Sequence, residues 1–174
     1  MQHDLQSFLH LTAVELAWRL GQVSLAAGRF VTCAESCTGG GVASAITEIA
    51  GSSNWFETGY VTYSNAAKMR LLGVPSALLE THGAVSREVV LAMVEGACRD
   101  SGADLGVAIS GVAGPDGGSE TKPVGTVWFA WGAPGRLNAE CLHLPGDRAA
   151  VREQAVRVAL AALVVSLEET LSAP

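Results

Sequence analysis

The stretch Phe30-Val31-Thr32-Cys33-Ala34-Glu35-Ser36-Cys37-Thr38-Gly39-Gly40-Gly41-Val42-Ala43-Ser44-Ala45 changes character twice. Phe30 to Glu35 reads as a short buried strand, apolar and partly β-branched. Ser36 to Gly41 ends in consecutive glycines and reads as a tight turn. Val42 to Ala50 continues as a helix of small residues. A strand that turns sharply into a helix is a building unit of layered α/β domains.

The flanking sequence repeats that alternation. Upstream, Thr12 and Glu15 form a capping box, and Val14, Ala17, Trp18, Gly21 and Leu25 recur at helical spacing, with Gly28 ending the helix. Downstream, Gly51 to Phe56 reads as a loop and Gly59 to Ser64 as a strand. Ser76 and Ser86 are placed to cap helices, the second leading into Val89, Val90, Met93, Val94 and Ala97. Asp104 to Ser110 reads as a strand, followed by the glycine-rich loop Gly111 to Lys122. Val124 to Trp131 and Leu137 to Leu144 read as an antiparallel hairpin turned at Ala133-Pro134-Gly135. Asp147 caps a long last helix through Leu171, with Val151, Ala155, Val158, Ala162 and Val165 spaced by three and four. The expectation is a single α/β/α layered domain with a mixed sheet over residues 12–174, preceded by a loosely held tail at 1–11. The pattern does not fix the strand order.

Composition narrows the function classes. The chain has 174 residues, 49% of them hydrophobic, and a net charge of −6. No apolar run approaches the about 18–20 residues of a membrane span, so the apolar excess points to a full core or a subunit interface. The acidic balance and the lack of a Lys/Arg block speak against nucleic acid. Cys33, Cys37, Cys98 and Cys141 show no C-x-x-C spacing, and His3, His10, His82 and His143 no i, i+4 pair, so no metal site is expected. Free thiols without an export signal imply a cytoplasmic protein.

Three segments combine reactive side chains with permissive backbone. In the first, Ser36 sits at a strand-to-helix turn whose N–H groups favour an anion, so it is either a nucleophile or a plain helix cap. Cys37 is the rival nucleophile, or a buried thiol. In the second, Tyr60 to Lys68, Lys68 falls in the first turn of a helix; partly buried there, its pKa would drop and make it a base, whereas solvated it would do nothing. The third, Ser110 to Pro123, matches neither G-x-G-x-x-G nor a P-loop and reads as a loop closing over a phosphate or ribose, or as surface. Ser119 to Lys122 spells S-x-x-K, but the surrounding glycines and prolines do not allow the helix that motif needs. Arg148 suits a phosphate, or pairs with Glu153; Arg152, Glu153 and Arg157 look like a solvated face.

Ala34-Glu35-Ser36-Cys37-Thr38-Gly39-Gly40, Val61-Thr62-Tyr63-Ser64-Asn65, Gly83-Ala84-Val85-Ser86, Ile109-Ser110-Gly111, Ala113-Gly114-Pro115-Asp116-Gly117-Gly118 and Lys122-Pro123-Val124-Gly125-Thr126-Val127 together closely resemble the CinA C-terminal domain family. Their order and spacing match from about Thr12 to Leu171, in the form that stands without the molybdopterin-binding-like domain of longer members. The resemblance implies hydrolysis of the carboxamide of nicotinamide mononucleotide (NMN) to nicotinate mononucleotide and ammonia, with no cofactor. It implies Ser36 as nucleophile, with Tyr63 and Lys68 as activating and proton-transfer groups. Backbone N–H groups of Thr38, Gly39 and Gly40 would hold the oxyanion. Ser110, Gly111, Gly114, Gly117, Gly118, Thr126 and Arg148 would take the phosphate and ribose. One departure is Ala66, where members often carry glutamate. A wall for the cationic ring would come from Trp55, Phe56, Tyr60 or Glu35, each of which also reads as core or cap. The alternatives are a catalytically silent nucleotide- or partner-binding domain and an amidase for another small amide. The apolar Ala155–Val165 segment suits a homo-oligomer or a helix packed on both sides within one subunit.

Overall fold

The computed structural model describes residues 7, 8 and 10–172, so most of the expected tail lies outside the described residues. The elements run α1 (Ala13–Ala27), β1 (Val31–Glu35), α2 (Gly41–Thr47), β2 (Phe56–Val61), α3 (Asn65–Leu72), α4 (Ser76–His82), α5 (Arg87–Ser101), β3 (Leu105–Gly111), β4 (Thr126–Ala133), β5 (Arg136–His143) and α6 (Arg148–Ser172). A short 3-10 turn, Ser52–Asn54, lies between α2 and β2.

The strands form one mixed sheet in the order β2-β1-β3-β4-β5. β1 pairs parallel with β2 and β3, and β4 pairs antiparallel with β3 and β5. Period-two alternation gives the sheet two unlike faces. Ala34, Ala108 and Ala130 stand side by side on one face, while Cys33, Val107 and Trp131 form a row on the other. The alanine face packs under α5 with Val90, Met93, Val94 and Ala97. It approaches so closely that a Cβ on Gly106 would lie 2.8 Å from the Cys98 sulfur.

The opposite face packs against α6, which is nearly encircled by apolar contacts. Leu160, Leu163, Val164 and Leu167 are fully buried among sheet, α1 and α2 residues. Each such side chain contributes about 1.5–3 kcal/mol of transfer free energy. The apolar composition of this helix is thus used within one subunit. Among the described residues no helix is long and apolar enough to cross a membrane.

Several expected boundaries move for local reasons. β2 runs Phe56–Val61 rather than Gly59–Ser64, because Thr62 N–H makes a last bond to Glu35 O and Ser64 then caps α3 through Ala67 N–H. Tyr63 is therefore in a turn rather than in a strand. α2 stops at Thr47 rather than Ala50. Pro75, not Ser76, occupies the cap of α4, whereas Thr12, Ser86 and Asp147 cap as expected. The face of α1 also rotates: Leu16, Ala17, Leu20, Gly21 and Ser24 are buried, while Val14, Trp18 and Leu25 are exposed. The helix seats between α6 and the Trp55 ring, which passes 3.1 Å from where a Cβ on Gly21 would be. Val14, Trp18 and Leu25 therefore fall on its outer side.

Candidate active site

All three parallel strands deliver their carboxyl ends to one edge of the sheet, where open α/β sheets place their ligands. β1 ends at Glu35 and hands on to Ser36; β2 ends at Val61 and hands on to Tyr63 and Lys68; β3 ends at Gly111. Because β4 and α6 begin at this same edge, the loop 112–125 and Arg148 also arrive there. Three segments far apart in sequence thus converge through the parallel pairing.

Lys68 reaches inward from the first turns of α3 and is 1% exposed. Its Nζ lies 3.0 Å from Ser36 Oγ, 2.8 Å from Thr62 O and 3.4 Å from Tyr63 O. Among the described residues no carboxylate compensates the amine, and burial pushes its pKa down to about 8. As an ammonium, Lys68 donates to all three oxygens. As a neutral amine it donates to the two carbonyls and accepts from the Ser36 hydroxyl. The two carbonyls therefore aim the lone pair at Oγ.

The turn after Ser36 consumes most of its own backbone groups. Ser36 N–H donates to Ile109 O, Gly39 N–H to Ser36 O and Gly41 N–H to Thr38 O. The Glu35 carboxylate is fully buried and accepts from Gly40, Val42 and Ala43 N–H at 2.9–3.1 Å. Arg152 Nε donates to Cys37 O and its Nη2 to Thr38 O, both at 3.1 Å. Two donors are left: the N–H groups of Cys37 and Thr38 have no acceptor among the described residues. The N–H groups of Gly39 and Gly40, expected to face an oxyanion, are thus already engaged. Of the two readings of Glu35, wall for a cationic ring or core and cap, these bonds select the cap. Burial pushes the Cys37 thiol up to about 11, which leaves it a poor nucleophile beside Ser36.

A cleft of about 270 Å³ opens over Ser36 and Lys68, near the lower bound of about 300 Å³ for small-molecule sites. Of the site residues the resemblance implies, Ser36, Tyr63, Lys68, Ser110, Gly111, Gly114, Gly117 and Arg148 line it, whereas Thr38, Gly39 and Gly40 do not. Arg148 Nη1 donates to Gly114 O at 2.8 Å and its Nη2 to Tyr63 OH at 3.2 Å. Arg148 therefore has no contact with Glu153, which pairs with Arg157 instead. Tyr63 is 62% exposed, and its hydroxyl bonds neither Ser36 nor Lys68. Thr126 turns its hydroxyl to Pro123 O, and Gly118 packs on Val124; neither lines the cleft.

The sequence reading also missed residues. Asp116, Ala84 and Val85 line the cleft. Arg152 grips the nucleophile turn rather than facing solvent; its i, i+4 spacing from Arg148 was the available signal. Trp55, Phe56 and Tyr60 are buried in the two cores, with Tyr60 OH donating to Asp100, so none reaches the cleft. Ser119 and Lys122 close a turn on each other through backbone and hydroxyl, with Lys122 Nζ on His82 O. A larger concavity of about 450 Å³ lies over Leu11, Val14, Glu15, Trp18, Arg19 and Ile49, but its carboxylate, Glu15, is taken up by Thr12 in the capping box.

The CinA C-terminal domain family matches residues 14–167. The nicotinamide-nucleotide amidohydrolase PncC of Pseudomonas putida is 60% identical over 149 residues, 86% of this chain and 93% of that protein. The protein of the same name from Escherichia coli (strain K12) is 55% identical over 153 residues, 86% of this chain and 92% of that one. A crystal structure of a CinA-superfamily protein from Klebsiella pneumoniae superimposes with a TM-score of 0.88 at 42% identity, covering 91% of this chain and 99% of that one. The chain belongs to the CinA C-terminal domain family.

Proposed function

We propose that the protein is a nicotinamide-nucleotide amidohydrolase that converts NMN and water to nicotinate mononucleotide and ammonia, with Ser36 as nucleophile and Lys68 as base. The observation that carries the mechanism is the buried Lys68 Nζ, 3.0 Å from Ser36 Oγ and without a carboxylate partner. The substrate rests on the close relatives of that name.

Neutral Lys68 takes the Ser36 proton as Oγ attacks the carboxamide carbon. The oxyanion that forms is met by the N–H groups of Thr38 and Cys37, the two donors the turn leaves over. The Lys68 ammonium then protonates the amide nitrogen, the C–N bond breaks and ammonia leaves, with an ester on Ser36. Water attacks that ester, giving its proton to Lys68 as a second oxyanion forms. Collapse expels Ser36 Oγ, which recovers the proton from Lys68, and nicotinate mononucleotide departs. The scheme needs no metal ion. Tyr63 enters by orienting Arg148 rather than as a proton relay, since its hydroxyl bonds that guanidinium. Arg148 suits the substrate phosphate, and Asp116 is the carboxylate in the cleft available to the pyridinium charge.

The test is product identity. Incubation with NMN gives equimolar ammonia and nicotinate mononucleotide and no free nicotinamide. Failure to consume NMN by folded protein, or consumption of another small amide instead, overturns the substrate assignment.

A further inference from the structure

We propose that Arg152 is a positioning residue for the acyl-transfer step: by holding two carbonyls of the nucleophile turn, it fixes and polarises the Thr38 N–H, one of the two that receive the oxyanion. The inference rests on Ser36 acting as nucleophile. It reaches a residue that contacts neither Ser36 Oγ nor Lys68.

The turn needs an external brace. Gly39 and Gly40 both adopt left-handed backbone, with φ of 60° and 98°, so the peptide planes beside them are poorly restrained by their own sterics. Glu35 restrains the far side by accepting from Gly40, Val42 and Ala43. On the near side, Thr38 O also accepts from Gly41 N–H, but Cys37 O has no backbone donor among the described residues and is held by Arg152. Its guanidinium spans them with two bonds at 3.1 Å, a fork geometry that an ammonium does not reproduce.

The effect on the oxyanion follows from peptide geometry. The Cys37 carbonyl and the Thr38 N–H belong to one planar trans unit and point in opposite directions. Anchoring the carbonyl on Arg152 therefore fixes the direction of the N–H. A cation on the carbonyl oxygen also draws electron density along the amide and makes the N–H a stronger donor. The unit cannot flip without breaking a charge-assisted bond. Arg152 rises from α6 one turn after Arg148, so the same helix holds the cleft's cationic side and the donor turn.

The test measures two reactions. One is ammonia release from NMN. The other is phosphonylation of Ser36 by a fluorophosphonate probe, followed by intact mass, which needs the nucleophile and the oxyanion donors but no particular substrate. Arg152→Ala is expected to lower both kcat and the labelling rate by roughly 10- to 100-fold, less than the about 10²–10³ that outright removal of an oxyanion donor costs. KM stays within about threefold and the pH midpoint set by Lys68 does not move. Arg152→Lys, which restores the charge and one contact, recovers part of both rates and serves if the alanine variant does not fold. Rates within about threefold of wild type in a folded Arg152→Ala variant (or in Arg152→Lys where the alanine variant does not fold), or a rise confined to KM, overturn the proposal. So does a wild-type protein whose Ser36 is not labelled. Wild-type labelling without ammonia release discards the substrate assignment alone and leaves Arg152 judged by labelling.

Discussion

Ser36 Oγ and Lys68 Nζ stand 3.0 Å apart, brought together from the ends of two neighbouring parallel strands. The hydroxyl lies one residue past β1, and the amine returns from the second turn of α3 after β2. The pair needs no histidine, because burial alone brings the amine into the range where it can accept a proton.

Activity should therefore follow the neutral fraction of Lys68. With its pKa near 8, roughly one enzyme in ten carries the base form at pH 7. The rate constant kcat/KM is expected to rise about tenfold between pH 7 and pH 9 and to level off above. A profile that is flat or falls over that interval contradicts a lysine base.

Removal of the amine should be severe for catalysis and mild for structure. Lys68→Ala is expected to lower kcat by about a thousandfold or more, as loss of one member of a nucleophile–base unit does. Near-normal turnover would assign the base elsewhere.

The same burial predicts a pH-dependent stability. The folded-state pKa of Lys68 lies below its unfolded value of about 10.5, so the unfolded chain binds more protons between those values. Wild-type stability is then expected to rise from about pH 8 to pH 10.5, with a slope from this group of up to about 1.4 kcal/mol per pH unit. Lys68→Met removes that rise, and the gap between variant and wild type in urea unfolding narrows as pH increases. Parallel curves for the two proteins would show that Lys68 is not desolvated.

Tyr63 and Arg148 should act on binding. Tyr63→Phe keeps the ring but loses the contact with Arg148, and is expected to raise KM several-fold with kcat within about threefold of wild type. Arg148→Ala is expected to raise KM further. A fall in kcat alone for Tyr63→Phe would restore the proton-relay role.

Asp116 offers the cleft's counter-charge to a cationic ring. Asp116→Asn is expected to raise KM for NMN while leaving that for its reduced, uncharged-ring form unchanged. Equal effects on both would remove Asp116 from ring recognition.

Much of this arrangement was readable from residue types. The capping box at Thr12 and Glu15, the Pro134-Gly135 hairpin and the Asp147 cap are local chemistry, and each appears where the sequence places it. Ser36, Lys68, the 110–118 loop and Arg148 carried signals strong enough to be singled out. What local pattern could not carry was partnership across the fold. Glu35 reads as a ring wall or as core and cap until α2 folds over it, and Arg152 reads as solvated until α6 meets the Cys37-Thr38 turn. The outer face of α1 was misread because Trp55, distant in sequence, decides which side of Gly21 is covered. Tyr63 was placed on a strand because its neighbours are β-branched and aromatic, whereas the Ser64 cap turns the chain before it.

The most direct test of the Ser36–Lys68 pair is ammonia release from NMN at about pH 8.5 with EDTA present, comparing wild type with Ser36→Ala. The account predicts robust release by the wild type and a loss of about a thousandfold or more in the folded variant. Release by Ser36→Ala within about tenfold of wild type would contradict it, and would reduce Ser36 to a residue of the turn.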